Sequence, residues 1–113
     1  MDCIFCNIVA GKIPSDIIYQ DEEVIAFRDI NPQSPVHLLV IPRKHFTSLT
    51  DFTEEEKPLM GHMITIANQL AKDEGIADTG YRLVINCGRQ GGQLVPHLHL
   101  HVMGGRQLSG QLG

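Results

Sequence analysis

Three of the chain's six histidines stand at alternate positions of one short run, HLHLHV (97–102): His97, His99 and His101. Side chains alternate between the two faces of an extended segment, so the three imidazoles share one face and Leu98, Leu100 and Val102 share the other, buried one. A solvent-facing strand is served equally well by Thr, Lys or Glu, so this concentration of imidazole points to chemistry. Two chemistries suit it. Strand-borne histidines at i and i+2 can chelate zinc, although the outer two are separated by roughly 13 Å of strand. Alternatively, neutral imidazole is a nucleophile toward phosphorus near neutral pH. A backbone carbonyl can hold one ring nitrogen, and a flanking histidine can deliver a proton to the leaving group.

The neighbouring residues favour phosphorus. Gly91-Gly92-Gln93 lies just upstream in the turn CGRQGGQ (87–93), where glycines let backbone N–H groups approach a phosphate closely. Asn86 closes the preceding apolar run and brings a carboxamide to the same place. A second constellation is Cys3-x-x-Cys6, which has the spacing of half a zinc site and is too tight for an ordinary structural bridge. With Cys87 the cysteine count is odd, which fits a reducing cytoplasm and reads Cys87 as a buried or half-buried free thiol.

These residues need elements to position them. IFCNIVAG (4–11) reads as a short helix ended by Gly11. Ile17–Gln20 and Val24–Arg28 flank the turn-like DEE and read as a hairpin. DINPQSP (29–35) holds two prolines and must be a loop. Val36–Ile41 is nearly all apolar, as a central strand would be, and Pro42 stops it. TEEEKPLMGHMITIANQLAKDEG (53–75) is the long helix. Thr53 and Glu56 form a capping-box pattern, Leu59, Met63, Ala67 and Leu70 fall on one face, and Gly75 caps the end. Tyr81–Cys87 and Leu94–Met103 read as two more strands, paired antiparallel through the glycine turn. The expected fold is α+β, an antiparallel sheet of about five strands with one long and one short helix, in a single domain over 1–113.

Composition excludes several classes. The chain has 113 residues, 42% of them hydrophobic, enough for one core built mainly of Ile, Leu and Val. A net charge of −4 without a Lys/Arg block argues against a duplex nucleic-acid binder, though a small nucleotide needs only backbone amides and a cation or two. No apolar stretch approaches the roughly 20 residues of a membrane span, and the N-terminus lacks the pattern of a secretion signal.

HLHLHVM matches the His-φ-His-φ-His-φ-φ signature (φ apolar), and the chain resembles the histidine triad superfamily over almost its whole length. DIIYQDEEVIAFRDINPQSPVHLLVIPRKH, GYRLVIN, GGQ and the trailing GGRQ resemble its Hint branch, the purine nucleoside phosphoramidate hydrolases. The resemblance implies a homodimer acting on a purine nucleotide. It makes His99 the nucleophile on the α-phosphorus and His101 the phosphate or leaving-group contact that helps in proton delivery. His37 becomes a supporting fourth histidine and His97 the first triad member. Asn86, Gly92 and Gln93 would contact phosphate or leaving group, Asp29 the ribose hydroxyls, and Phe27, Ile30, Phe5, Ile8 and Ile13 the base. No cofactor is required. Other branches complete the cysteine pair with two histidines, here His45 and His97, which implies a structural zinc. Leu94 departs from the pattern, standing where the resemblance to that branch implies a hydroxyl. Two other functions remain open: a dinucleoside polyphosphate hydrolase of the same superfamily, and a non-catalytic purine-nucleotide-binding scaffold.

Overall fold

The computed structural model describes residues 3–112. In chain order its regular elements are α1 (Ile4–Val9), β1 (Ile17–Gln20), β2 (Val24–Arg28), β3 (Val36–Pro42), α2 (Lys57–Asp73), β4 (Tyr81–Val84) and β5 (Leu100–Gly104). The five strands form one sheet in the order β1-β2-β3-β5-β4, every neighbouring pair antiparallel. The α+β expectation holds.

Strand alternation gives the sheet two different faces. Val24 and Ala26 of β2, Leu38 and Val40 of β3, and Leu100 and Val102 of β5 pack with Leu98 under α2, against Met63, Ala67, Leu70 and Ala71. Ile25, Phe27, Leu39 and Ile41 face the other way and are covered by α1 through Phe5 and Ile8. β3 is buried from His37 to Pro42, so its unbroken apolar run marks a strand covered on both sides. His37 and His101 lie on the α1 face. The register sets Leu39 opposite His101 and His37 opposite Met103, which makes the two histidines diagonal neighbours.

Three boundaries differ from expectation by three residues or more, and proline accounts for two. Residues 54–56 form a 3-10 turn before α2 begins at Lys57. Pro58 has no N–H to donate to the Glu54 carbonyl, so the ladder cannot run unbroken from Thr53. The capping box forms as expected: Thr53 N–H donates to Glu56 Oε1 at 2.8 Å, and Thr53 Oγ1 accepts from Glu55 N–H at 3.2 Å. Gly75 adopts φ +76°, and Ile76 N–H closes the end of α2 on the Ala71 carbonyl at 3.0 Å.

The second difference matters for the site. β5 starts at Leu100 and not at Leu94, so of the three histidines only His101 lies in the strand proper. Continued pairing would bring the chain before Leu100 alongside Pro42, which cannot donate to a ladder. The Pro42 carbonyl instead takes His97 Nε2–H at 3.0 Å, and Leu98 N–H goes to the Phe46 carbonyl at 2.7 Å. β4 correspondingly stops at Val84, paired with His101, and not at Cys87. The segment 85–99 is free to wrap around the site.

Met63 is fully buried between α2 and the sheet. Met63→Ala should cost about 2–5 kcal/mol of stability. Urea unfolding should register this as a lower midpoint with an unchanged slope.

Candidate active site

The α1 face of the sheet opens into a cleft of about 540 Å³ whose walls include Phe5, Ile8, Ile13, Phe27, Asp29, Ile30, His37, Asn86, Gly92, His99 and His101. A larger concavity, of about 630 Å³, lies between residues 75–82 and 105–110 and contains no histidine. The chemistry-bearing residues are therefore gathered in the smaller space.

Hydrogen bonds assign each ring nitrogen. His99 Nδ1 lies 2.8 Å from the His97 carbonyl, which can only accept, so Nδ1 carries the proton and Nε2 keeps its lone pair. The Phe5 ring stands edge-on to His99 at 5.3 Å and to Phe27 at 5.4 Å, bracing the imidazole against the apolar end of the cleft. On the other side, the Gln33 N–H donates to His37 Nδ1 at 3.0 Å. His37 Nε2 must then hold its proton, and it donates to His101 Nδ1 at 2.9 Å. The N–H of His101 is thereby assigned to Nε2. The cleft is walled by one imidazole with a lone pair on Nε2 and one with an N–H on Nε2, their ring centroids 4.8 Å apart.

Asp29 Oδ1 accepts from Asn31 N–H at 2.9 Å, and Oδ2 lies 3.4 Å from His37 Nε2, so the carboxylate stands in the cleft wall beside the relay. Asn86 Nδ2 donates to the Gly91 carbonyl at 2.8 Å. The glycine turn is compact: Gly92 has φ +83°, and a Cβ at Gly91 would collide with the Cys87 carbonyl. Cys87 is a half-buried free thiol.

Two residues expected in the cleft are elsewhere. Gln93 spends its carboxamide inside the turn, donating to the Thr47 carbonyl at 2.7 Å and the Val95 carbonyl at 2.9 Å and accepting from Gly88 N–H at 2.9 Å. It shapes the loop and does not line the cleft. The His97 side chain is fully buried outside the cleft, because the bend before β5 turns it away from the face shared by His99 and His101. Only its carbonyl reaches the site. Conversely, Gln33 and Leu94 line the cleft. Gln33 acts through its backbone, for which the loop sequence carries no signal. Leu94 is 92% exposed and presents an apolar wall where a hydroxyl was the alternative.

The His97 ring joins the cysteines. Donor atoms of Cys3, Cys6, His45 and His97 all lie within 4.8 Å of one another. His97 Nδ1 is 3.3 Å from Cys3 Sγ, 3.5 Å from Cys6 Sγ and 3.2 Å from His45 Nδ1, and Cys6 Sγ is 3.2 Å from His45 Nδ1. A tetrahedral zinc with two sulfur and two nitrogen ligands has ligand-to-ligand edges of roughly 3.3–3.8 Å, so this donor set fits the ion. The electronic fit agrees. Pro42 holds the proton of His97 on Nε2, so its Nδ1 lone pair faces the cluster, as a metal ligand requires. Burial holds His97 below the usual imidazole range and pushes the Cys6 thiol up, the latter with help from its hydrogen bond to Cys3.

The family profile of the HIT domain matches residues 10–108. The chain is 49% identical over 111 residues to a purine nucleoside phosphoramidase of Escherichia coli, covering 98% of this chain and 93% of that protein. It is 48% identical to protein HitA of Neisseria gonorrhoeae over 103 residues, 91% of this chain and 95% of that one. A HIT family hydrolase of Legionella pneumophila superposes with a TM-score of 0.97 at 44% identity, covering 99% of this chain and all of the other. A zinc-bound histidine triad family protein of Mycobacterium smegmatis superposes with a TM-score of 0.81 at 36% identity, over 94% of this chain and 76% of that one. The chain belongs to the HIT domain family and falls with its hydrolases.

Burial pushes His101 down to about 4, with the nearby His99 and His37 adding to it, and burial likewise holds His37 below its ordinary 6.5. Both bind a proton less readily folded than unfolded, so unfolding takes up protons as the pH falls below 6.5. Their contribution to stability is complete above that pH and is lost progressively toward pH 4. Asp21 acts lower. Burial raises its carboxyl, but hydrogen bonds from Tyr19, Val24, Glu23 and His62 outweigh this and hold it below the usual carboxylate range, so its contribution is lost only in stronger acid. The melting temperature should fall between about pH 6.5 and about pH 4, and His101→Gln should flatten that slope. Parallel profiles for parent and variant in metal-free buffer would contradict the assignment.

Proposed function

We propose that this protein hydrolyses purine nucleoside 5′-phosphoramidates, adenosine types among them, through a nucleotidyl-histidine intermediate. The observation that carries the reading is the bond from His99 Nδ1 to the His97 carbonyl, because it holds the Nδ1 proton there and leaves Nε2 to face the cleft as the nucleophilic nitrogen. The E. coli relative named for the same activity supports it.

In the first step His99 Nε2 attacks phosphorus and the P–N bond breaks. The amine leaves with its electron pair and takes up a proton, from solvent or from His101 once that ring has been protonated in the complex. His101, whose N–H on Nε2 is fixed by His37, hydrogen-bonds the leaving nitrogen or a phosphoryl oxygen as charge develops there. The bound phosphate's negative charge favours protonation of the buried imidazoles, raising proton affinity at the moment a proton is needed. In the second step water attacks the phosphorus and gives up a proton to solvent or to His101, the bond from phosphorus to Nε2 breaks, and the nucleoside monophosphate leaves with His99 restored. Asp29 can accept hydrogen bonds from the two ribose hydroxyls. Phe5, Ile8, Phe27 and Ile30 form the apolar slot for the base, and Asn86 and Gly92 border the phosphate. His99→Ala should lower turnover of an adenosine 5′-phosphoramidate at least about 10³-fold while nucleotide binding stays measurable. In the parent, rapid quenching followed by mass spectrometry should detect a nucleotidyl adduct. Near-normal turnover by the variant would sink the mechanism.

Cys3, Cys6, His45 and His97 would hold zinc in a structural role, since four protein ligands leave no open position for water. When bound, the ion ties the N-terminal segment to the turn after β3 and to the chain leading into β5. Chelation, and Cys3→Ser, should lower the melting temperature more than the rate of still-folded protein. Elemental analysis giving less than about a tenth of an equivalent of zinc, with no uptake on reconstitution under reducing conditions, would refute the site.

The working unit in this reading is a homodimer. β4 ends the sheet, and its outer backbone groups are available for pairing with a second copy. Light scattering should return a mass about twice that of the chain; a monomer at micromolar concentration would refute it.

A further inference from the structure

The GGRQ motif, residues 104–107, has no part in the cleft, yet it touches the loop that does. Gly105 has φ +97°, and a Cβ there would come within 2.9 Å of Pro35 Cβ, so the backbone packs directly against the end of the 29–35 loop. Arg106 then reaches over the loop. Its Nη2 donates to the Gln33 carbonyl at 3.0 Å and its Nη1 to the Gln107 carbonyl at 3.1 Å. Gln33 is also the residue whose N–H donates to His37 Nδ1.

We propose that Arg106 is a positioning residue for the proton-donating half of the site: by holding the Gln33 carbonyl it keeps the Gln33 N–H on His37, and so fixes the tautomers of His37 and His101. The physical reason is the limited capacity of imidazole. A neutral ring has one N–H and one lone pair. With Gln33 N–H on Nδ1, His37 can present only an N–H to His101, and His101 keeps its own N–H on Nε2. If Gln33 swings away, His37 can place its proton on Nδ1. Its Nε2 lone pair then faces His101, which must turn its proton toward His37 and loses the N–H on Nε2. Beyond Asp29, whose N–H still bonds the His37 carbonyl at 3.0 Å, loop 29–35 has no ladder to resist such a swing. Its other bonds, Asn31 N–H to Asp29 Oδ1, Gln33 Nε2 to the Asn31 carbonyl and Ser34 Oγ to the Val36 carbonyl, are local.

The catalytic part of this inference rests on the phosphoramidate reading; the tautomer part does not, and the experiment keeps the two apart. Arg106→Ala and Arg106→Lys would be made in the full chain with ¹⁵N-labelled histidine. Long-range ¹H–¹⁵N correlations without substrate report the tautomers of His37 and His101, and steady-state turnover of an adenosine 5′-phosphoramidate reports kcat and KM. In Arg106→Ala the two histidines should show mixed tautomers. Its kcat should fall about three- to tenfold, the scale of one lost net hydrogen bond, with a smaller change in KM. Lysine keeps one donor for the Gln33 carbonyl and should restore most of both signals. Because Arg106 is exposed, the variants should fold; should the alanine form fail to, the graded lysine variant carries the test. Parental tautomers in a folded Arg106→Ala, a kcat within about twofold of the parent, or a loss confined to KM would each overturn the proposal. Absence of turnover in the parent would instead overturn the hydrolase reading and leave the tautomers to decide.

Discussion

A neutral imidazole offers one N–H and one lone pair, and the site depends on which nitrogen holds which. Four histidines are fixed in this respect by neighbours with no freedom to answer differently. Backbone carbonyls can only accept, which puts the proton of His99 on Nδ1 and that of His97 on Nε2. The Gln33 N–H can only donate, which orders His37 and, through it, His101. The cleft and the sulfur cluster are thus set by backbone groups, the part of a protein least free to rearrange.

The same backbone groups couple the two sites. His97 turns its ring into the cysteine cluster and its carbonyl toward His99, so a residue with no side chain in the cleft orients an imidazole that lines it. This arrangement exists because β5 begins late. Pro42 breaks the ladder at the end of β3, and the unpaired stretch before Leu100 can bend where a strand could not. Burial adds a further constraint. Burial makes His37 and His101 resist protonation, so their proton affinity is free to respond to an arriving anion.

Much of this was legible in the residues. The apolar run of β3, the capping box at Thr53 and the glycine after α2 each follow from local rules of period, burial or backbone freedom, and the structure carries them all. The resemblance to the histidine triad superfamily placed His99, His101, His37 and Asp29 together, and the cleft unites them. The expectation of three histidines on one strand face failed, because alternation assumes a strand and Pro42 ends the pairing that would make one. Gln93 was misplaced for a related reason: a carboxamide in a glycine turn can face a ligand or clasp its own loop, and sequence does not separate these.

The sequence by itself determined the family and the two faces of the sheet, and it singled out the histidines that line the cleft, since these depend on residue types and their spacing along the chain. Tertiary structure decided which nitrogen of each histidine is free, that His97 joins Cys3, Cys6 and His45, and that Arg106 reaches Gln33. Most of those contacts join residues 39 to 94 positions apart, and the two short ones, His99 to the His97 carbonyl and Gln33 to His37, depend on a bend and a loop that the packing sets. Hydrogen-bond direction across such separations is fixed only when the strands are in register, and no local pattern encodes it.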